Sequence, residues 1–471
     1  MSRKHISRRK FIGQASCAAL GTTTALNSIL HLDMMGKLTA PTLRPMRRQD
    51  GTYKAMVCIL LAGGNDSYNM LIPTSTDQYN TYSTSRSNLA LPSGDLLALN
   101  YTDGNGVNYG LHPSMPEVQQ LFNDGKLAFV SNVGTLIEPT TKTQVLNQTV
   151  PLPVGLLSHS DQARHWMSSV PQSRQANGWG GRIADIVSSL NSNQNVSMGI
   201  SLSGTNLWQL GADHSEYAIQ NYGSGSVGIQ VLESGQLFEQ IIGGGVESML
   251  NQTYQDIFKQ TYRDKILSSQ SQHEEFSAAI DGVEPFATMF SDNPLSQDLH
   301  MIAKAIAANG TLDVQRQTFF VNFGGWDHHD EVLDNQAAML AIVSQALSEF
   351  YSALEEVNLA DCVTTFTASD FARTLSSNGN GTDHAWGGNA IVMGGSVQGG
   401  QIYGEYPDLA IASDIEVGGG GVLIPQISTD EYFAELAMWF GVQDSDFEYL
   451  LPNLGNFFEV GSGQPLGFMN L

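Results

Sequence analysis

The apolar positions of this chain gather into a few unbroken runs, and the stretches between them carry a helical period. "AMVCILLAGGND" (55–66) is a continuous apolar run ending in Gly-Gly and an acid, the pattern of a strand buried on both faces of a sheet. "LAFVSNVG" (127–134), "TFFVN" (318–322), "CVTTFTASDF" (362–371) and "AIVMGG" (390–395) repeat it. Between them the spacing predicts helices. "MPEVQQLFNDGK" has Pro116 in its first turn and Gly125 at its stop, and "LSQDLHMIAKAIAAN" (295–309) is closed by Gly310. The clearest helix runs from about Asn335 to Val357, with Met339, Val343, Ala346, Leu347, Phe350 and Leu354 on one face. Strands alternating with helices mean parallel pairing. The predicted fold class is therefore a layered α/β sandwich with a mostly parallel central sheet. From Leu232 onward, helices broken by "GGG" (243–245) read as a helical insertion around 230–290.

Charge changes the picture at both ends of the chain. The first 50 residues hold 9 Lys+Arg and 2 Asp+Glu, and residues 51–471 hold 13 against 44, a formal charge of −31. A body that acidic repels nucleic acid and anionic membrane, so nucleic-acid binding is set aside. At the start, "SRRKFI" (Ser7 to Ile12) places Arg8 and Arg9 before the diluted apolar run "FIGQASCAALGTTTALNSIL". That pattern reads as a cleaved twin-arginine export signal over residues 1–40, followed by a linker over 41–53 and one domain over 54–471. The expected location is the periplasm or the exterior, with the twin-arginine machinery as a partner. No later segment reads as a membrane span, so no stable anchor is expected after cleavage. Cys17 leaves with the signal. Cys58 and Cys362 lie in strand-like runs and read as buried free thiols, with a disulfide between neighbouring strands as the alternative.

In open parallel sheets, ligands bind outside the carboxyl ends of the strands. Those ends carry Asn65 and Asp66, then Asp327, His328 and His329 in "FGGWDHHDE", then Asp370 and Arg373 in "TASDFART". Asp383 and His384 follow in the glycine loop "NGNGTDHAWGG". Carboxylates and imidazoles converging on one edge repel one another unless something positive sits among them. A divalent metal meets that need, and Arg373 offers a second source of charge. In "LLSHSDQARHW" (156–166), Ser158 and Ser160 stand where a helix begins, with His159, Asp161 and His165 close by. A helix N-terminus offers amides to an oxyanion, and equally Ser and Asp are ordinary caps.

The chain also resembles a family of exported proteins, the domain of unknown function 1501, grouped with alkaline phosphatases and sulfatases. "LLAGGNDSYNMLIP", "GLHPSMPEVQQLFNDGKLAFVSNVG", "SHSDQARHW", "GWGGR", "FGGWDHH", "SDFART" and "NGTDHAWGGNAIVMGG" carry the resemblance in order, from about Ala55 to at least Leu409. It implies an alkaline-phosphatase-like sandwich holding one or two divalent metals (Zn, Mn and Ca are the candidates) and hydrolysing phosphate or sulfate esters of small molecules or polymers. By position it implies Asp66, Asp327, His329, Asp370 and His384 as metal ligands. Arg373 would face the substrate anion, and Ser158, with Ser160 as the near alternative, would attack in preference to Ser67. His328 stands where the family has a small polar residue and ranks below His329. Phe371 stands where the superfamily has a histidine after the acid, and no cysteine-based sulfatase signature is present. Those departures keep a second reading open: a non-catalytic member that binds a ligand or surface polymer with a structural metal.

Overall fold

A computed structural model describes residues 53–174, 177–229 and 235–471. The expected signal and, except for Tyr53, the expected linker lie outside the described residues. The predicted apolar runs form the centre of a nine-stranded sheet. Its strands are β1 (Lys54–Leu61), β5 (Leu127–Gly134), β6 (Gly199–Ser201), β7 (Tyr217–Ala218), β8 (Arg316–Asn322), β9 (Val363–Ser369), β10 (Gly388–Gly394), β11 (Ile402–Tyr403) and β14 (Ile427–Ser428). The path is β11-β5-β10-β9-β1-β8-β6-β7, with β14 paired to β5. A small antiparallel sheet joins β2 (Leu71–Pro73), β3 (Leu97–Thr102) and β4 (Asn108–Leu111), and a two-stranded one joins β12 (Glu416–Val417) and β13 (Val422–Leu423).

β1 lies at the middle, parallel to both β8 and β9, with Cys58 opposite Phe320 on one side and Phe366 on the other. Cys58 and Cys362 are free thiols. β10 departs from the pattern read in the sequence, because it runs antiparallel to both β9 and β5. The reason is its connection. A parallel return needs a crossover along the sheet, whereas residues 370–387 form an irregular loop without a helix and let the chain come straight back.

The two-residue period of the strands sorts their side chains into two cores. Val57, Ile59, Phe319 and Val321 face one layer, where Leu299 and Ile302 of the helix Pro294–Ala307 pack with Leu340, Val343 and Leu347 of the helix Val332–Glu356. The opposite face is aromatic. Trp179 stacks on Phe433 at 4.4 Å and lies 5.6 Å from Phe366, and Trp208 lies 6.1 Å from Phe320. Trp179 opens the helix Trp179–Val187, and Phe433 belongs to the helix Thr429–Phe440. The motif "GWGGR" is thus packing machinery. A Cβ at Gly181 would meet the Gly211 backbone nitrogen at 2.2 Å, and buried Arg182 donates to the Leu450 carbonyl at 3.0 Å.

By length and composition the helix Val332–Glu356 could cross a membrane, against the sequence reading that no later segment could. Its apolar face is core: Leu340, Val343, Ala346, Leu347 and Phe350 are fully buried. Between Leu237 and Asp281, where the helical insertion was expected, lie two helices, Leu237–Leu250 and Ile257–Asp281.

The helix His159–Ser168 buries His165 completely, with neither ring nitrogen hydrogen-bonded. Burial lowers its pKa to about 4, from 6.5 for an ordinary histidine. A folded pKa below the unfolded one means that the unfolded chain takes up the proton first. The neutral ring therefore favours folding fully above about pH 6.5, and that contribution is lost as the pH falls toward about 4. Replacing it in His165→Leu is expected to raise stability relative to the unmodified chain by about 3 kcal/mol more at the acid end than at neutrality. Denaturant titrations of both proteins across that range measure the gap, and a gap independent of pH would contradict this account.

Candidate functional site

The chain leaves β1 through Ala62-Gly63-Gly64. Gly63 has φ 117°, and a Cβ there would lie 2.5 Å from the backbone nitrogen of Asp327. The missing side chain lets the segment after β8 cross close to β1. Trp326 donates its backbone N–H to the Ala62 carbonyl at 3.1 Å, which fixes Asp327 at the carboxyl edge of the sheet. The Gly63 N–H donates to Asp370 Oδ2 at 3.1 Å, drawing the end of β9 to the same place.

Four side chains converge on one oxygen, Asp327 Oδ1. Arg373 Nη2 lies 2.9 Å away, His329 Nε2 3.1 Å, His159 Nε2 3.3 Å and His384 Nε2 3.5 Å. The other nitrogen of each imidazole meets an oxygen. His159 Nδ1 is 2.8 Å from Asp370 Oδ2, His384 Nδ1 2.8 Å from the Leu157 carbonyl, and His329 Nδ1 3.2 Å from Asp383 Oδ1. Carbonyls and carboxylates accept, so a neutral imidazole that donates from Nδ1 here turns the lone pair of Nε2 inward. His329 Nε2 and His384 Nε2 stand 3.0 Å apart. Two lone pairs at that distance repel unless a cation or a shared proton lies between them.

The donor set fits a transition ion. Four ligands at about 2.1 Å around a tetrahedral ion are separated by about 3.4 Å, close to the three histidine distances on Asp327 Oδ1. His159, Asp327 and His384 offer ligand atoms all within 4.8 Å of one another, and His329 stands close to Asp327 and His384 but outside that group of three. Imidazole-rich sets of this kind suit zinc or iron, whereas calcium takes about six to eight oxygens.

Electrostatics keep Asp327 ionised. Burial works against its carboxylate, yet the Arg373 charge and hydrogen bond, with His159 and His329, hold its pKa below the usual value. Asp370 is shifted the other way, raised chiefly by its burial and only partly relieved by His159. Burial lowers the pKa of His384 and so favours the neutral ligand form, although its bond to the Leu157 carbonyl opposes this. The Asp327 side chain is 47 % exposed and that of Arg373 0 %, so the cluster is open on one side and sealed behind.

Of the residues singled out in the sequence, the structure brings Asp327, His329 and His384 together and places Asp370 behind them on His159. Asp66 is elsewhere engaged: fully buried, it pairs through Oδ2 with the equally buried guanidinium of Arg86. Arg373 is buried and bonds Asp327 Oδ1 through Nη2, while its Nε and Nη1 have no hydrogen-bond partner among the described residues. Ser158 precedes the helix His159–Ser168, and its hydroxyl lies 3.3 Å from that of Ser160 and also bonds Asp161. Neither serine hydroxyl bonds a histidine or acid of the cluster. Ser67 is buried and accepts the Asn389 N–H at 2.8 Å. His328 is buried beside Trp326, 6.2 Å between ring centres.

Residues 53–417 match the model of a family described as a protein of unknown function, DUF1501. The chain belongs to that family. A comparison with curated proteins finds no match. Solved structures similar to this DUF1501 protein include a sulfatase from Pseudoalteromonas sp., at 11% identity and TM-score 0.33, covering 88% of this chain and 76% of that one. The soluble domain of lipooligosaccharide phosphoethanolamine transferase A from Neisseria meningitidis is similar at 9% identity and TM-score 0.33, covering 84% and 90%. Likenesses this distant carry no argument about what this DUF1501 chain does.

Sequence reasoning named His159 only as a neighbour of the two serines, and it missed Arg86. A signal for His159 was present: it sits one residue after Ser158, in the same segment "SHSDQARHW", at the first turn of a helix. Arg86 ends a polar helix, Thr76–Arg86, whose pattern reads as solvent-facing.

Proposed function

We propose that this protein is an exported, metal-dependent hydrolase of phosphate or sulfate esters. His159, Asp327 and His384 would hold a single divalent transition ion, with His329 beside it. The observation that carries the metal is the convergence of three imidazole Nε2 atoms on Asp327 Oδ1, with each Nδ1 already bonded to an oxygen. Partners of this kind around ligating histidines fix the tautomer and aim the lone pair. The class of ester rests on the resemblance of the motifs, and the export on the paired arginines ahead of the diluted apolar run.

When bound, such an ion would polarise an ester oxygen and acidify a water molecule. The chain's own groups do the rest. Asp370 Oδ2, Asp383 Oδ1 and the Leu157 carbonyl hold protons on the Nδ1 atoms, and Arg373 pins Asp327 from behind. The exposed side of Asp327 and His329 admits the substrate, small or polymeric. Water is the nucleophile in this reading, because the Ser158 and Ser160 hydroxyls are turned to each other and to Asp161.

The test is elemental analysis of protein taken from its own compartment, followed by a screen of phosphate and sulfate monoesters. Asp327→Asn is expected to lower turnover about a hundredfold or more, and Ser158→Ala with Ser160→Ala to leave it standing. Loss of turnover in the serine variants with metal retained would restore a hydroxyl nucleophile. Metal without turnover on any ester would favour the non-catalytic reading.

A further inference from the structure

The small sheet β2-β3-β4 meets the strand β11 of the main sheet across a cleft of about 290 Å³. Its walls include Tyr101 of β3, Asp103 in the turn that follows, Tyr109 of β4, and Glu405 and Tyr406 just past β11. No described residue of the metal cluster lines it. β11 runs parallel to β5, and β5 points the same way as β9 and β1, because β10 is antiparallel to both of its neighbours. Glu405 and Tyr406 therefore leave the sheet at its carboxyl edge, where α/β sheets take their ligands.

The lining says what kind of ligand fits. Each of the three phenols has one proton to donate, and each donates it within the protein. Tyr109 bonds Asp103 Oδ2 at 2.9 Å, Tyr406 the Leu71 carbonyl at 2.6 Å and Tyr101 the Ile402 carbonyl at 3.4 Å. What remains to offer is ring carbon. The Tyr109 ring lies 6.0 Å from that of Tyr101 and 5.0 Å from that of Tyr406, with planes inclined at 44° and 58°, a curved wall rather than a stack. The charge beside the rings is all of one sign. Asp103 Oδ1 accepts the N–H groups of Asn105 and Val107, both at 2.8 Å, which fixes its carboxylate in place. Glu405 is exposed and makes no ion pair among the described residues, and no described Lys, Arg or His lines the cleft. Burial, and after it Asp103, pushes the Tyr101 and Tyr109 phenols above their usual value, so both rings feel that negative charge. A bare calcium ion would want about six to eight oxygens, and both Asp103 oxygens are already bonded. A sugar gains nothing from two carboxylates without a counterion. An ammonium ion carrying alkyl groups uses both features, since aromatic rings and carboxylates attract it together.

We propose that this cleft binds an organic cation, an alkylated ammonium group lodged against Tyr101, Tyr109 and Tyr406 and neutralised by Asp103 and Glu405. The formal charge of −31 on residues 51–471 draws such cations toward the protein. The probes are choline and its uncharged isostere dimethylbutanol, titrated against the full chain while the methyl NMR signals of each ligand are followed. Choline is expected to bind at least about tenfold more tightly than dimethylbutanol, which has the same shape without the charge. Tyr101→Leu should weaken choline binding about threefold or more, whereas Tyr101→Phe, which keeps the ring, should leave it unchanged. Glu405→Gln should weaken it about threefold at low salt and less at high salt, because an exposed charge is screened. Equal binding of the two ligands overturns the proposal and leaves an apolar cleft in its place. So does choline binding that survives Tyr101→Leu and Glu405→Gln combined, or no binding of choline up to about 10 mM.

Discussion

His159→Ala protein is expected to come from its native compartment with its bound metal cut at least tenfold, by about the loss that removing a ligand's supporting partner alone can cause, or more. The geometry demands a large effect. His159 approaches Asp327 Oδ1 from the side of the helix His159–Ser168, while His329 and His384 come from the loops after β8 and β9. It is also the one ligand whose second nitrogen is held by a buried acid, Asp370, whose side chain is 5 % exposed. Truncating the ring removes one of the three proposed donors and leaves the Asp370 carboxyl without its imidazole partner. Asp370→Asn should act in the same direction but more mildly, about tenfold in metal affinity, because it keeps the ligand and loosens only its aim. Metal content by elemental analysis, with affinity by competition against a chelator, separates the two variants. Retention of metal by His159→Ala would leave Asp327, His329 and His384 as the whole site and remove His159 from it.

The strands were legible because a strand buried on both faces has to be a continuous apolar run, and β1, β5, β8 and β9 all are. The direction of β10 was not, since an apolar run looks the same read for either pairing and only the helix-free loop before it decides. Asp327, His329 and His384 were legible as polar residues at strand ends, where loops leave the scaffold. The sequence argument that converging carboxylates need positive charge was sound in its physics but incomplete in its sources. Arg373 supplies the second source of charge that the sequence offered, and a buried guanidinium the sequence reading did not name, Arg86, supplies another. Neither pairing follows from spacing. Arg86 meets Asp66 from 20 residues away and Arg373 meets Asp327 from 46, contacts that exist only once the sheet has brought the strand ends together.

That distinction gives Asp66 a decisive experiment. As a metal ligand, the role its position in the first motif implies, Asp66→Asn should lose metal as His159→Ala does. As the counterion of Arg86, it should lose stability and keep its metal, and this second outcome is the expected one. The pair is fully buried, and Arg86 Nη1 also donates to the Thr374 carbonyl at 2.9 Å, tying the pair to the chain just past Arg373. Removing one partner of a buried ion pair strands the other charge in a poorly solvating interior, at a cost of about 3–5 kcal/mol. Arg86→Met is therefore expected to be among the most damaging single changes in the molecule. The amide in Asp66→Asn still accepts one hydrogen bond and should cost less. Combining Asp66→Asn with Arg86→Met removes both charges and should restore much of the loss, because a neutral pair of similar volume needs no counterion. Denaturant midpoints for the two single variants and the double one close the cycle, and elemental analysis of the same samples reads the metal. Strict additivity of the two stability losses would argue against the pairing. Metal lost from Asp66→Asn protein that remains folded would return Asp66 to the metal site.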